Sequence, residues 1–223
     1  IKRNFTGSPA VKGPRIIAVS SGKGGVGKTN FVVNLAIALA QQEKRVVIFD
    51  ADLGMANIDV LLGMIPRYTL YDVLVGSKEL AEVLVTGPYN IKIIPGGSGI
   101  HELANLDYYQ REKIIHSIRT LDYTTDFIII DTGAGISKSV LGFASAADEV
   151  VVVMTPEPTS LTDAYGLIKT ILQRDPDKEI IVIGNMVRSP NEGMLIWQKI
   201  NIMTTRFLQR EVKYAGSVLY DPK

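Results

Sequence analysis

The sequence predicts an α/β fold with a doubly wound, mostly parallel sheet and helices on both faces. Short apolar runs, which are typical of buried strands, alternate with longer stretches of helical periodicity along the chain. Two of these runs end in aspartate, and another leads through a glycine-rich loop into a helix. Ligands bind outside the carboxyl ends of the strands in open α/β sheets, so these loops and acids are expected to share one edge.

The predicted elements follow one another without an evident linker or internal repeat. We therefore expect a flexible tail at 1–14 and a single domain at 15–223. The predicted strands are 15–20, 45–50, 91–95, 126–131, 148–154, 179–184 and 214–218. The predicted helices are 30–41, a short one within 55–63, 69–76, 79–85, 108–121, one capped by Thr159 and Ser160, and 191–208.

Two stripes of apolar residues at helical spacing are assigned to the core. The stripe of the helix after Ser160 and that of the last helix are both expected to pack on the sheet, although the second could instead bind a membrane. The first stripe is Leu161, Ala164, Ile168 and Ile171, and the second is Ile196, Ile200, Met203 and Phe207.

Composition narrows the function classes. The 223 residues are 46% hydrophobic and 21% charged, which is ordinary for a globular domain with a large core. The formal net charge of +1 does not require a nucleic-acid or membrane partner. The sequence has no cysteine, which excludes disulfides and cysteine-ligated metals or iron–sulfur clusters. Without a visible signal peptide or transmembrane segment, a cytoplasmic location is expected.

The glycine-rich loop matches the P-loop pattern G-x-x-x-x-G-K-[ST] between a predicted strand and a predicted helix. Its backbone N–H groups and the helix N-terminus would cradle phosphate oxygens. Lys28 would reach the β- and γ-phosphates, and the Thr29 hydroxyl would ligate Mg²⁺. The alternative is a glycine turn without a ligand. The predicted nucleotide-binding run is Gly22, Lys23, Gly24, Gly25, Val26, Gly27, Lys28, Thr29 and Asn30.

Acidic side chains follow two of the predicted strands. Alternation along an extended segment would place Asp50 and Asp52 on the same side, where their charges would favour a cation. Asp131 ends another apolar run in a Walker B pattern and would hold a Mg²⁺-bound water. The glycine turn at 132–135 follows it, where a γ-phosphate-sensing switch would sit. An exposed acidic turn is the alternative for Asp50 and Asp52.

A second lysine, Lys23, lies inside the loop. The run K-G-G-V-G-K-T at 23–29 resembles the deviant Walker A loop of the MinD/ParA class of P-loop ATPases. In that class the additional lysine reaches the nucleotide of the partner subunit in a dimer. A solvated loop lysine is the simpler alternative.

Beyond this loop, the chain from 16 to 222 resembles one branch of the class, the FlhG family (also called FleN or YlxH), which regulates flagellar number and placement. The stretches that carry the resemblance are D-A-D-L-G-M-A-N-I-D-V-L-L-G at 50–63, D-T-G-A-G-I-S at 131–137, T-P-E-P-T-S-L-T-D-A-Y at 155–165, and N-M-V-R-S at 185–189 with Glu192 and Gly193.

The resemblance implies roles for individual residues. Lys23 and Lys28 would stabilise charge on the phosphates, with Lys23 acting in trans, and Asp52 would position the attacking water. Thr29, Asp52 and Asp131 would surround Mg²⁺. Three further residues would contact the rest of the nucleotide: Glu157 the partner's ribose, Asn185 the adenine and Pro222 the edge of the base. Asn185 lacks the N-K-x-D continuation of GTPases, which favours ATP.

The resemblance also implies partners. ATP and Mg²⁺ would stabilise a homodimer that hydrolyses ATP slowly, with ADP as product. The expected partners are a signal-recognition-type flagellar GTPase and flagellar switch-complex or transcription-activator proteins. The family's activating D-Q-A motif is not found in 1–14. Peripheral membrane association would require the family's C-terminal amphipathic helix, which is not in this sequence.

Three other functions remain open on the sequence. A MinD-like division-site ATPase shares the loop, but the residues after Asp131 disfavour it. A ParA-like DNA-partitioning ATPase would need a basic surface, which the balanced charge disfavours, so no specific nucleic acid is expected. A scaffold or co-regulator that binds ATP without hydrolysing it is the third.

Overall fold

A computed structural model describes residues 13–53, 56–97, 106–120 and 124–222. Within these ranges eight strands form one sheet in the order β3-β4-β2-β5-β1-β6-β7-β8. The strands are β1 Arg15–Ser21, β2 Val46–Ala51, β3 Val85–Thr86, β4 Lys92–Ile94, β5 Phe127–Ala134, β6 Glu149–Met154, β7 Glu179–Val187 and β8 Lys213–Leu219. The α-helices of the described ranges are α1 Lys28–Ala40, α2 Ile58–Leu61, α3 Leu70–Leu74, α4 Tyr108–Arg119, α5 Lys138–Ala146, α6 Pro158–Arg174 and α7 Pro190–Leu208.

The sheet is parallel except at one edge, where β3 pairs antiparallel with β4. Helices cover both faces, as the sequence predicts. Buried side chains of α4, α5, α6 and α7 pack on one face, where Phe49 and Phe143 meet edge to face with ring centroids 5.3 Å apart. Buried side chains of α1 and α2 pack on the other face. The central strands are buried on both sides, which explains their continuous apolar sequences.

Several predicted elements were wrong in detail. The stretch predicted as a helix at 79–85 contains a 3₁₀ turn, Leu80–Glu82, and then the edge strand β3. Glu79 and Glu82 form a capping box, which starts a helical turn there. Because β3 begins at Val85, too few residues remain for a full helix. Helix α5 was not predicted at all, because its nine residues are too short to show a clear period.

Helix α6 begins earlier than predicted. Glu157 is its N-cap and Pro158 its first residue, a position where proline's fixed φ suits the helix. Ser160 does not cap it; its hydroxyl accepts a hydrogen bond from the Thr155 N–H at 3.0 Å. Ala164, Ile168 and Ile171 are buried and Leu161 is partly buried, which confirms the predicted stripe.

The stripe of the last helix packs only in part. Ile196 and Ile200 are buried on the sheet, as expected. Phe207 is 63% exposed and contacts the ring of Tyr165 edge to face, so its assignment to the core was wrong. Across the described ranges, none of the helices combines the length and the apolar character needed to span a bilayer. Most of the predicted tail at 1–14 lies outside the described residues.

Candidate functional site

The glycine loop between β1 and α1 forms one wall of a cavity of about 550 Å³ at the carboxyl edge of the sheet. Gly27 is the N-cap of α1, with φ of 81°, a left-handed conformation that favours glycine. Because glycine has no side chain, no cap occupies the start of α1, and its N–H groups are left to face a ligand. The opposite wall contains Asp52 and the last residues of β5. The cavity is lined from the loop by Ser21, Gly24, Gly25, Val26, Gly27, Lys28, Thr29 and Asn30.

Two glycines of the loop are required by close packing. A Cβ atom on Gly22 would lie 2.2 Å from the backbone carbon of Asp163, in α6. A Cβ atom on Gly27 would lie 2.5 Å from Asn185 Nδ2. The loop is therefore fixed from outside by α6 and by the end of β7. Gly22 does not line the cavity found among the described residues, so its contribution there is positional.

Lys28 points from the first turn of α1 to the end of β5. Its Nζ donates a hydrogen bond to Asp131 Oδ1 at 2.6 Å, and both side chains are buried. Asp131 Oδ2 has no hydrogen-bond partner within the described residues. An orphaned buried carboxylate oxygen is costly, so it suits a site that accepts a water or a hydrated cation. The loop and the acid of β5 therefore lie at the same edge of the sheet, as expected, but the direct ion pair between Lys28 and Asp131 was not predicted.

Asp52 lies across the cavity from the loop. A Cβ atom on Gly133 would lie 3.3 Å from Asp52 Oδ1, so the carboxylate borders the last residues of β5. The turn predicted at 132–135 was placed too early, because β5 continues to Ala134. Burial raises the pKa of Asp52, the charge of Lys28 lowers it, and the charge of Asp131 raises it. Asp52, Thr29 and Gly133 line the same cavity, which is the arrangement needed to hold a water beside a phosphate.

Asp50 does not face the cavity beside Asp52, and the expectation that both carboxylates share one cation was wrong. Its Oδ2 accepts hydrogen bonds from the N–H groups of Asn57 at 3.0 Å and Ile58 at 3.1 Å. The Asp52 N–H also contacts its Oδ1 at 3.3 Å. Asp50 thus holds the start of α2. Burial raises its pKa to about 7, and these backbone donors lower it only in part.

Lys23 does not line the cavity that contains Lys28 and Asp52. Its Nζ forms a salt bridge with Glu157 and donates to Thr159 Oγ1 at 3.1 Å. Lys23 and Glu157 line a second cavity of about 260 Å³, which borders the first along Gly24, Gly25 and Val26. No local pattern in the sequence indicates that these two side chains pair within one chain.

Asn185 reaches the loop from the end of β7. Its Nδ2 donates to the Val26 carbonyl at 2.7 Å, and the side chain is buried. The next residue, Met186, has φ of 55° and lines the second cavity. Tyr220 lines this cavity as well, whereas the exposed Pro222 lines neither of the two cavities among the described residues.

Sequence reasoning missed several residues of the two cavities. Asn57, Leu61, Ser137 and Ser139 line the first. Arg188 and Tyr220 line the second. The signal that could have identified Ser137 was its position as N-cap of the unpredicted helix α5, where its hydroxyl accepts from the Val140 N–H at 3.3 Å.

The site fits a magnesium nucleotide. The open N-terminus of α1 and the Lys28 ammonium suit phosphate oxygens, and the Thr29 hydroxyl with the carboxylates of Asp52 and Asp131 suits a hard cation and its waters. A bound Mg²⁺ would neutralise phosphate charge. Lys28 would hold the phosphates in place, and Asp52 would orient a water at the edge of the cavity.

Comparisons with known proteins agree with this chemistry. The family model described as an AAA domain matches residues 14–181. The chain is 45% identical over 207 residues to the antiactivator FleN of Pseudomonas aeruginosa, covering 93% of this chain and 74% of FleN. It is 36% identical over 211 residues to the flagellum site-determining protein YlxH of Helicobacter pylori, covering 92% of this chain and 69% of YlxH.

The fold is also that of solved division-site proteins. The structure superposes on MinD from Pyrococcus horikoshii, solved in complex with Mg-ADP, with a TM-score of 0.77 and 28% identity over 94% of this chain and 82% of that one. The shared fold and the family-model match support ATPase activity. On the strength of its identity to FleN and YlxH and of this fold, the chain belongs to the FlhG (FleN/YlxH) family of MinD/ParA-class P-loop ATPases.

Proposed function

We propose that this protein is a dimeric ATP switch that regulates the number and placement of flagella. It binds ATP with Mg²⁺ in the cavity between the glycine loop and Asp52, and hydrolyses it slowly. The names of two relatives, an antiactivator and a flagellum site-determining protein, support the flagellar role. The ATP state, rather than the ADP product, would carry the signal.

The position of Lys23 carries the dimer hypothesis. Lys28 already faces the phosphate cavity, while Lys23 lines the neighbouring cavity and contacts Glu157. The Lys23 and Glu157 side chains are 39% and 61% exposed, and so exposed a pair contributes little stability. Lys23 can therefore leave Glu157 at small cost. In an ATP-bound dimer it would reach the partner's phosphates and offset the charge of the transition state.

Glu157, Asn185 and Pro222 complete the proposed nucleotide contacts. Glu157 would contact the partner's ribose once Lys23 has left it. Asn185 lies beside the loop with its Oδ1 still able to accept a hydrogen bond from a base amine. Pro222, two residues after Tyr220, would flank the base.

The proposed partners are those of a flagellar regulator: a signal-recognition-type GTPase and proteins of the switch complex or a transcription activator. One structural relative was solved as a MinC:MinD complex, so a partner-bound state has a precedent in this fold. Association with the membrane surface would require an amphipathic helix outside this sequence.

The biochemical test is ATP-dependent dimerisation, measured by light scattering during gel filtration, together with ATP turnover. We expect dimers with ATP and Mg²⁺ and monomers with ADP. Lys23→Ala should abolish the dimer and reduce turnover by about 10³-fold, as loss of a charge-stabilising residue in trans does. Lys44→Ala, which removes an exposed lysine outside both cavities, is the matched control. If Lys23→Ala leaves both dimer and turnover unchanged, the switch mechanism is wrong.

The cellular test is deletion of the gene, with flagella and division sites counted by electron microscopy. Altered flagellar number or position with normal division is the expected result. Minicells with normal flagella would instead assign a division-site role like that of MinD.

A further inference from the structure

A groove of about 670 Å³ separates α4 from α5 on the face of the sheet that carries the longer helices. Both helices start at the carboxyl edge of the sheet and run to the opposite edge, so the groove crosses the whole face. Gly142 allows the close approach, because a Cβ atom there would lie 3.1 Å from Arg111 Nε. The groove is not part of the nucleotide site.

Cations dominate the walls of this groove. They are Arg111, Arg119, Lys138 and Arg174, against one carboxylate, that of Glu112. In the described part of the chain, none of the four cations forms a salt bridge. Arg15 and Lys28, by contrast, do pair with carboxylates. The protein is nearly neutral as a whole, so this local excess of positive charge stands out.

Two of the guanidinium groups are held in place by main-chain oxygens. Arg111 Nη1 donates to the Leu106 carbonyl at 2.6 Å, and Arg119 Nη2 donates to the Ala146 carbonyl at 2.5 Å. A carbonyl partner fixes the side chain without cancelling its charge. The remaining N–H donors of each fork stay available to a carboxylate, and less side-chain entropy is lost on binding.

Aromatic and apolar atoms lie beside the charges. Tyr108 is 63% exposed and lines the end of the groove that lies at the carboxyl edge of the sheet, here called its upper end. Ile115 forms part of the floor of the groove. Tyr109, next to Tyr108, is 81% exposed, with the two ring centroids 5.7 Å apart. Exposed tyrosine together with arginine, rather than lysine, is the composition enriched in protein–protein interfaces.

The upper end of the groove adjoins the nucleotide cavity. Ser137 and Ser139, at the start of α5, line the nucleotide cavity and also the pocket that continues the groove past Tyr108. An occupant of the groove would therefore lie against α5, the helix that follows the part of β5 bordering Asp52. A partner at this position could influence the nucleotide site through α5, which suits a regulated switch.

We propose that the groove between α4 and α5 binds an acidic polypeptide segment, carrying carboxylates for the arginines and an apolar side chain for the floor. A nucleic acid is the less suitable occupant, because Glu112 and Ile115 interrupt the cationic surface along which a phosphate backbone would run. The acidic segment belongs to another protein and binds independently of ATP hydrolysis.

The test measures fluorescence anisotropy of a labelled twelve-residue peptide of repeated Asp-Leu-Glu units with the nucleotide-free protein. Arg119→Glu and Arg174→Glu should each weaken binding about tenfold, because each introduces a like charge beside the ligand. Lys113→Glu is the matched control: it makes the same change of charge at an exposed position of α4, outside the groove, and should leave affinity within about twofold. Thermal unfolding of each variant checks its fold, and Arg174, whose side chain forms no hydrogen bond within the described ranges, is the safer of the two sites.

Three results would overturn the proposal. One is that the wild-type protein does not bind the peptide. Another is an equal loss of affinity in Lys113→Glu, which would mean that only bulk charge matters. The third is groove-dependent binding of a DNA duplex without peptide binding, which would assign the surface to nucleic acid.

Discussion

Lys28 Nζ lies 2.6 Å from Asp131 Oδ1, and this ion pair is buried between the first turn of α1 and the end of β5. The loop lysine therefore has a structural partner in addition to its proposed phosphate ligand. A buried charge whose partner is removed is left uncompensated, which typically costs several kcal/mol. Substitution of Lys28 thus changes folding and nucleotide binding together.

The first prediction separates these two effects. Lys28→Ala should lower the free energy of unfolding by about 3 kcal/mol, since it leaves the Asp131 carboxylate buried without its cation. Adding Asp131→Asn to this variant should restore most of the stability, because the uncompensated charge is gone. Urea unfolding of the two single variants and the double variant measures the coupling between the residues.

ATP affinity should respond differently from stability in the same variants. It should be lost in Lys28→Ala and remain lost in the more stable double variant. Recovery of nucleotide affinity together with stability would mean that Lys28 contributes to binding only by maintaining the fold.

The second prediction compares two glycines of one loop. Gly22→Ala should reduce stability by about 2 kcal/mol or more, because the new Cβ would overlap the backbone of α6, which cannot move as a side chain can. Gly24→Ala should change stability by less than about 1 kcal/mol, since a Cβ there meets no atom within 4 Å. Thermal or urea unfolding of both variants tests this, and equal effects would contradict the packing explanation.

The sequence was sufficient to predict the centre of the site. The loop pattern, the buried apolar strands and the aspartate that follows the apolar run of β5 are local features, and parallel pairing brings the carboxyl ends of the strands together. The register of β1 with β5 pairs Val19 with Asp131, which brings the acid to the base of the loop. Short-range pattern and sheet topology together therefore bring the loop and Asp131 to one place, although the ion pair of Asp131 with Lys28 was visible only in the structure.

The remaining features depend on tertiary contacts that the sequence does not display. Alternation alone placed Asp50 beside Asp52, but the N–H groups of Asn57 and Ile58 at the start of α2 bind the Asp50 carboxylate instead. The pairing of Lys23 with Glu157 joins residues 134 positions apart. The antiparallel strand β3 has two residues, fewer than a periodic pattern needs to be recognised.

The third prediction concerns pH. Burial raises the pKa of Asp50 to about 7 from the usual 3.8, so the folded protein binds a proton more readily than the unfolded chain does. Stability from this group is therefore greatest at low pH and decreases as pH rises towards 7. Between about pH 5 and pH 7 the decrease should be about 2 kcal/mol for this single group.

Asp50→Asn is the appropriate comparison, because asparagine keeps an acceptor oxygen for the start of α2 but does not titrate. The difference in unfolding free energy between wild type and variant should change by about 2 kcal/mol over this pH range. Urea unfolding of the nucleotide-free protein at both ends of the range measures it. If the unfolding free energies of the two proteins change equally with pH, a group other than Asp50 binds the proton.

The fourth prediction concerns Asp52 as the residue that orients the attacking water. Asp52→Asn should lower the turnover of ATP by about 10²- to 10³-fold, since the amide cannot accept a proton from water. ATP affinity should fall by less than about threefold, because Lys28, Thr29 and the start of α1 still hold the phosphates. The ATP-bound dimer should consequently accumulate. Single-turnover kinetics and light scattering measure the two effects separately.

Asp59→Asn is the matched control for Asp52→Asn. It makes the same chemical change in α2, outside the lining of the nucleotide cavity, and should leave turnover within about twofold of wild type. Because burial raises the pKa of Asp52, wild-type turnover should increase as pH rises through the ionisation of this carboxyl, while residual turnover of Asp52→Asn should not follow that profile. A variant that hydrolyses ATP at the wild-type rate would remove Asp52 from the mechanism and direct attention to Ser137 and Ser139, the hydroxyl groups on the same wall of the cavity.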